Sequence, residues 1–226
     1  MSGKYSAVLF SGGLDSAVLV ADVKRRGGAV RAFYVSVGFA WEAEELAMAA
    51  RLFARPPFEG SFEVLRFDMT DVFPPAHWAI RGEPPAFDTP DEDVYIDGRN
   101  VILLSKAAVY AVRPQFESKD VTLLLGSLAC NPFPDATPEF FAAMSRALSL
   151  GLDARITIEA PFAVLDKADV IKKGIELGVP LELTLSCMQP NDGLHCGKCS
   201  KCRERRDAFR EAGVEDPTLY LHDPIR

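Results

Sequence analysis

Basic residues are in short supply in this 226-residue chain. There are 25 lysines and arginines against 32 aspartates and glutamates, a formal net charge of -7. A general nucleic-acid binder presents a basic face, so stable nucleic-acid binding is not expected, although a local basic patch is compatible with the balance. Long apolar runs are also absent. None approaches the roughly 20 residues that cross a bilayer, and no membrane association is expected. The first five residues are polar and lead at once into a strand-like run, unlike a secretory signal, so a cytoplasmic location is expected. Cysteine is scarce until late in the chain, where four of the five fall between Cys187 and Cys202. Structural disulfides are not expected in a reducing compartment, so this crowding points to metal. What is plentiful is apolar mass, 48% of residues, enough to bury a sizeable core. The length suits one large domain, or one domain with a small appendage.

The order of apolar runs and breakers predicts an α/β fold. Strands are expected at 5–10, 29–37 and 62–67, with helices at 15–26 and 41–54 between them. Gly27 and Gly28 stop the first helix. Alternation of this kind gives a parallel sheet with helices on both faces. A proline-rich stretch from Thr70 to Asp97 shows little periodicity. It is expected to be a long functional loop that closes over the site. Regular structure resumes with a helix at 100–112, a strand at 121–127, a helix at 138–150 capped by Thr137, and a strand at 155–159. A helix at 167–177 follows, capped by Asp166 and stopped by Gly178, and a basic helix spans about 201–211.

The sharpest local signal is Ser11-Gly12-Gly13-Leu14-Asp15-Ser16 between the first strand and the first helix. In such a turn successive backbone N–H groups face inward, and the helix N-terminus adds roughly half a positive charge. Glycines let an anion approach without meeting a Cβ, and the hydroxyls of Ser11 and Ser16 are available as further donors. The lysine and spacing of the mononucleotide P-loop are missing, and so is the three-glycine dinucleotide pattern. A tight turn carrying Asp15 as an ordinary first-turn acid would account for one glycine but not for the whole hexapeptide.

The second signal is Cys187-x8-Cys196-x2-Cys199-x2-Cys202. Four thiolates in two overlapping turns fit a structural Zn2+. Spacing alone also permits an iron–sulfur cluster, and His195 is a competing ligand. The remaining Cys130 reads as a small buried residue.

The hexapeptide resembles the SGGxDS pyrophosphate loop of the N-type ATP pyrophosphatases, or PP-loop enzymes. These split ATP into AMP and pyrophosphate while adenylating a substrate oxygen. With the cysteine cluster, the chain as a whole resembles the 7-cyano-7-deazaguanine synthases of queuosine biosynthesis. Further matches are Asp97-Gly98-Arg99-Asn100, the run Asn131 to Phe140, Ala160-Pro161-Phe162, Asp166 to Asp169, and Cys202-x2-Arg205. The resemblance implies a Rossmann-like, adenine nucleotide α-hydrolase-like sheet over residues 1–180. A zinc-binding helical segment, 181–226, would pack on it through Cys187, Cys196, Cys199 and Cys202. It implies ATP and pyrophosphate binding by Ser11, Gly12, Gly13, Leu14, Asp15 and Ser16, with Asp15, Arg99 and Lys167 as catalytic groups. Asp15 would position Mg2+, while Arg99 and Lys167 would neutralise phosphate charge. Asn100, Asn131, Phe133, Asp135 and Glu139 would bind the substrate.

The implied reaction adenylates the carboxylate of 7-carboxy-7-deazaguanine and converts it with ammonia, through the amide, to the nitrile. A homodimer is also implied. The likeness has gaps. Where the family carries Asp-Tyr-Gly-Gln-x-His, this chain has Ser36-Val37-Gly38-Phe39-Ala40-Trp41, with Glu44 matching a later acid. Tyr-Ser-Gly-Tyr has become Cys130-Asn131-Pro132-Phe133, and Cys-Arg has become Ala136-Thr137. Phe39, Trp41 and Phe133 can stack on a flat heterocycle or fill a core, and Trp41 is assigned to the core. These changes keep two other readings open. One is a related PP-loop enzyme that adenylates a different carboxylate or supplies another amine. The other is a zinc-stapled nucleotide-binding module without turnover.

Overall fold

The computed structural model describes residues 5–27, 30–129 and 131–222. The expectations for Gly28, Ala29 and Cys130 therefore lie outside the described residues. Five parallel strands, β1 (Tyr5–Leu9), β2 (Val30–Ser36), β3 (Glu63–Arg66), β4 (Asp120–Leu124) and β5 (Arg155–Glu159), pair in the order β3-β2-β1-β4-β5. Ala7 stands opposite Arg31 on one side and Leu123 on the other. The central strands are nearly continuous apolar runs, as befits strands covered on both faces. Ala7, Val8, Phe33, Val121 and Leu123 are fully buried.

Among the described residues, seven helices complete the frame: α1 (Leu14–Arg25), α2 (Glu42–Phe53), α3 (Trp78–Arg81), α4 (Arg99–Ala111), α5 (Pro138–Leu152), α6 (Lys167–Glu176) and α7 (Ser200–Ala212). The Thr137 hydroxyl accepts from the Phe140 N–H at 3.1 Å, and Asp166 Oδ1 accepts from the Asp169 N–H at 2.7 Å. Both expected caps are in place. The winding of the chain reverses between β1 and β4. In open α/β sheets that reversal opens a crevice at the carboxyl ends of the strands.

Two expectations need correction. The strand expected to reach Ser127 ends at Leu124, because the chain then turns across the start of α1. The segment 70–97 is also not structureless. It holds 3-10 turns at Thr70–Val72 and Asp91–Val94 as well as α3, and it buries Ala79, Val94 and Ile96. Among the described residues, no helix is long and apolar enough to cross a membrane.

Candidate active site

A cavity of about 380 Å3 opens at the switch between β1 and β4. Its floor is the turn from β1 into α1. Gly12 holds φ +77, a left-handed conformation that suits glycine. The N-cap of α1, Gly13, supplies no side-chain acceptor, so the first N–H groups of the helix carry no side-chain cap. Ser11, Gly13, Leu14 and Asp15 line the cavity. Ser16 does not, contrary to the expectation that its hydroxyl faces a ligand. It is buried, donates to the Gly13 carbonyl at 3.0 Å and accepts from the Ser11 N–H at 3.2 Å, so it braces the turn. Across the opening, Gly126 presses against α1. A Cβ there would stand 3.1 Å from Asp15 C and Ser16 N, closer than ordinary contact.

Beside the turn lies a chain of ionic contacts. Lys167 Nζ is 3.1 Å from Asp15 Oδ2 and 2.5 Å from Glu204 Oε1, and Lys201 Nζ is 2.7 Å from Glu204 Oε2. Burial alone would lower the Lys167 pKa, but its two carboxylate partners outweigh it and hold the ammonium above its usual range. Burial pushes the Glu204 carboxyl up, yet the two lysines prevail and bring it down to about 2. Burial pushes Asp15 up, against the pull of Lys167. Its Oδ1 is buried without a protein partner, and so is Arg99 Nε, on another wall of the same cavity.

The opposite side of the cavity is flatter and more apolar. Trp41 and Trp78 stack with ring centroids 5.7 Å apart and planes 13° from parallel. Trp41 is buried, as expected, yet it also lines the cavity; Phe39 is core. Phe133 lines the wall and leans on Tyr95 at 5.2 Å. Asn131 also lines it, its amide donating to Ser127 Oγ at 3.2 Å. Asn100 and Asp135 bind each other instead: the Asn100 N–H donates to Asp135 Oδ2 at 3.0 Å and its amide to the Asp135 carbonyl at 3.0 Å. Neither is among the cavity-lining residues. Glu139 is exposed on the first turn of α5 and away from the cavity.

Sequence reasoning missed Glu45 altogether. This residue of α2 is 8% exposed and lines the cavity, where its Oε2 accepts from Tyr34 O–H at 2.6 Å. Burial raises its pKa to about 8, against the opposing effects of Tyr34 and Arg99. The expected acid, Glu44, accepts instead from the Gly193 N–H at 2.9 Å.

The sulfurs of Cys187, Cys196, Cys199 and Cys202 lie within 4.8 Å of one another, all buried. Cys199 and Cys202 are 3.5 Å apart, Cys196 and Cys202 3.8 Å, and Cys187 and Cys199 4.0 Å. A tetrahedral ion with metal–sulfur bonds of about 2.3 Å needs edges of about 3.8 Å, so the cage fits a single metal ion. Backbone N–H groups of Gln189, Cys196 and Lys198 point at the sulfurs, which stabilises thiolates. His195 is not a competitor, because its Nε2 accepts from the Ser186 N–H at 3.1 Å. The cage is also not remote from the cavity. The Leu185 N–H donates to the Gly12 carbonyl at 2.9 Å, and Ser186, Cys187, Met188, Lys201 and Glu204 all line the opening.

The family model described as "Queuosine biosynthesis protein QueC" matches residues 5–213. The 7-cyano-7-deazaguanine synthase of Methanoculleus marisnigri is 37% identical over 96% of this chain and 99% of its own. That of Pseudomonas putida is 34% identical over 98% of this chain and all of its own. The chain belongs to the QueC family of queuosine biosynthesis.

Proposed function

We propose, from that membership, that the chain is a 7-cyano-7-deazaguanine synthase that uses ATP to convert 7-carboxy-7-deazaguanine and ammonia into the nitrile. One observation supports this above the rest: the uncapped start of α1, the Asp15–Lys167 pair and Arg99 surround one cavity whose other wall is aromatic.

In the proposed first step the substrate carboxylate attacks the α-phosphorus of ATP. The bond to the bridging oxygen breaks, and pyrophosphate leaves onto the backbone N–H groups at 11–16. Lys167 and Arg99 neutralise its charge. Ammonia then attacks the acyl carbon and loses a proton, and AMP departs to leave the amide. The amide oxygen then attacks the α-phosphorus of a second ATP and releases a second pyrophosphate; loss of that oxygen with AMP, together with the two amide protons, gives the nitrile. The chain's part is to hold the reactants in line and exclude water, with no covalent enzyme intermediate. Trp41, Trp78 and Phe133 would offer the flat heterocycle an aromatic wall to stack on, with Asn131 lining the same side.

Asp15 fits Mg2+. One carboxylate oxygen is buried and unpartnered beside a phosphate site, and such an ion keeps its other ligands from phosphate and water. When bound, it would supply charge neutralisation at the phosphates. The four-cysteine cage suits Zn2+ in a structural role, holding segment 181–226 on the 1–180 module. The QueC-family reading further implies a homodimer and a cytoplasmic enzyme.

Incubation of the protein with ATP, magnesium, ammonium and 7-carboxy-7-deazaguanine, with products read by mass spectrometry, tests the proposal. The expected result is ATP-dependent amide and then nitrile, with AMP and pyrophosphate released. AMP formation with a different acid only would reassign the substrate. No AMP with any acid would reduce the chain to a binding module.

A further inference from the structure

The cation wall of the cavity is built from two parts of the chain. Lys167 is the first residue of α6, and Lys201 is the second residue of α7. A cation in the first turn of a helix opposes the helix dipole. Arg99 repeats the arrangement as the first residue of α4. Three helices thus begin with a cation at one opening, and α1 adds its own uncapped N–H groups. Such a concentration of positive ends disfavours the empty site and favours a bound polyanion.

Glu204 ties the two lysines together. Each of its oxygens takes one ammonium, at 2.5 Å for Lys167 and 2.7 Å for Lys201. It stands in the helix that starts between the last two cysteines of the cage, Cys199 at the N-cap and Cys202 in the first turn. The lysine side chains keep 18% and 27% of their surface, so both remain reachable from the cavity.

We propose that Lys201 is a third binding cation, beside Lys167 and Arg99, for the terminal phosphates of ATP and for the departing pyrophosphate, and that Glu204 is the positioning residue that aims Lys201 and Lys167 at them. This rests on reading the turn at 11–16 as the pyrophosphate cradle. It gives the metal-held segment a direct part in binding the nucleotide, beyond stapling the chain. On phosphate arrival the two ammonium groups exchange part of their contact with Glu204 for phosphate oxygens, with no bond made or broken.

Binding of α,β-methylene ATP and of inorganic pyrophosphate, each with magnesium, would be measured by calorimetry on the metal-loaded protein without the carboxylate substrate. The outcome therefore does not depend on the identity of the acid. Lys201→Met and Lys201→Gln should weaken both ligands about tenfold, the effect of one exposed charge-assisted contact. Metal content per chain should be unchanged, and Lys201→Arg should recover most of the affinity. Glu204→Gln should tighten pyrophosphate binding by releasing the lysines from their counter-charge, while lowering kcat without raising the KM for ATP. A merely structural role predicts neither the recovery with arginine nor the tighter pyrophosphate. Unchanged affinity in both neutral Lys201 variants at full metal load overturns the proposal, as does weaker pyrophosphate binding in Glu204→Gln.

Discussion

Replacing Glu45 by glutamine isolates the energetic cost of a buried acid. Glu45 is 8% exposed, and burial raises its pKa from 4.5 to about 8. Tyr34 from β2, Trp41 at the N-cap of α2, Glu42 at its start, and Arg99 from α4 are the groups that bear on it. The folded state keeps the proton across that interval, and the unfolded chain releases it. Stability therefore falls as pH rises from 4.5 towards 8, by about 1.4 kcal/mol per pH unit. Between pH 6 and 8 the loss amounts to roughly 2–3 kcal/mol. Glutamine carries no titrating proton, and its amide oxygen can still accept from Tyr34. Urea unfolding of both proteins at pH 6, 7 and 8, with equal metal content, should show the variant gaining on the parent by that amount. Titrations common to both proteins cancel in the difference. Parallel stability curves would refute the assignment of a neutral, buried Glu45.

Asp15→Asn should lower pyrophosphate release by 100-fold or more, about 3 kcal/mol of transition-state stabilisation, while metal content measured by mass spectrometry stays the same. Gly126→Ala places a Cβ 3.1 Å from the backbone of Asp15 and Ser16. It should shift the start of α1 by a few tenths of an ångström and lower kcat/KM for ATP about tenfold, with near-UV circular dichroism little changed. Stripping the metal with a chelator should abolish binding of α,β-methylene ATP as well as loosen the C-terminal segment, because Leu185 secures the Gly12 carbonyl. Calorimetry before and after chelation reads the first effect, and hydrogen exchange at residues 185–202 the second.

The parts of the site that could be read from sequence are contiguous ones. A strand, a glycine turn and a helix follow one another in ten residues, so Ser11 to Asp15 announce their own geometry. The four cysteines do the same, because their spacing is itself a ligand set. Asp135 and Glu139 show where contiguity misleads. They share one recognisable run, but the 3-10 turn Pro134–Ala136 sends Asp135 inward to Asn100, and α5 then begins and turns Glu139 to solvent. Glu45, Gly126, Trp78 and Glu204 carried no local signal. Each reaches the cavity only through packing between elements far apart in sequence. The segment 70–97 looked irregular because it is ordered by contacts with other elements. The backbone of Ala86 pairs with that of Cys199, and Arg203 donates to the Phe87 carbonyl at 2.9 Å.

The altered stretch Ser36–Trp41 now has a physical reading. Ser36 O–H and the N–H groups of Val37 and Gly38 all donate to Glu42, at 2.7, 2.8 and 3.2 Å. The strand end is thus tied to its own helix, which leaves those groups unavailable to a ligand. Phe39 goes into the core, and Trp41 meets Trp78, an indole from the 70–97 segment, which helps line the cavity. A flat ring bound on this side would therefore be contacted by stacking, which adds area but little discrimination between similar heterocycles. Discrimination would fall to polar groups that line the cavity, among them Glu45, Arg99, Asn131 and Ser186. A site that reads its ligand through hydrogen bonds rejects an analogue lacking them far more strongly than one that reads it by shape. Specificity for the acid should consequently be more sensitive to Glu45 and Asn131 than to either tryptophan, whereas overall affinity should follow the tryptophans.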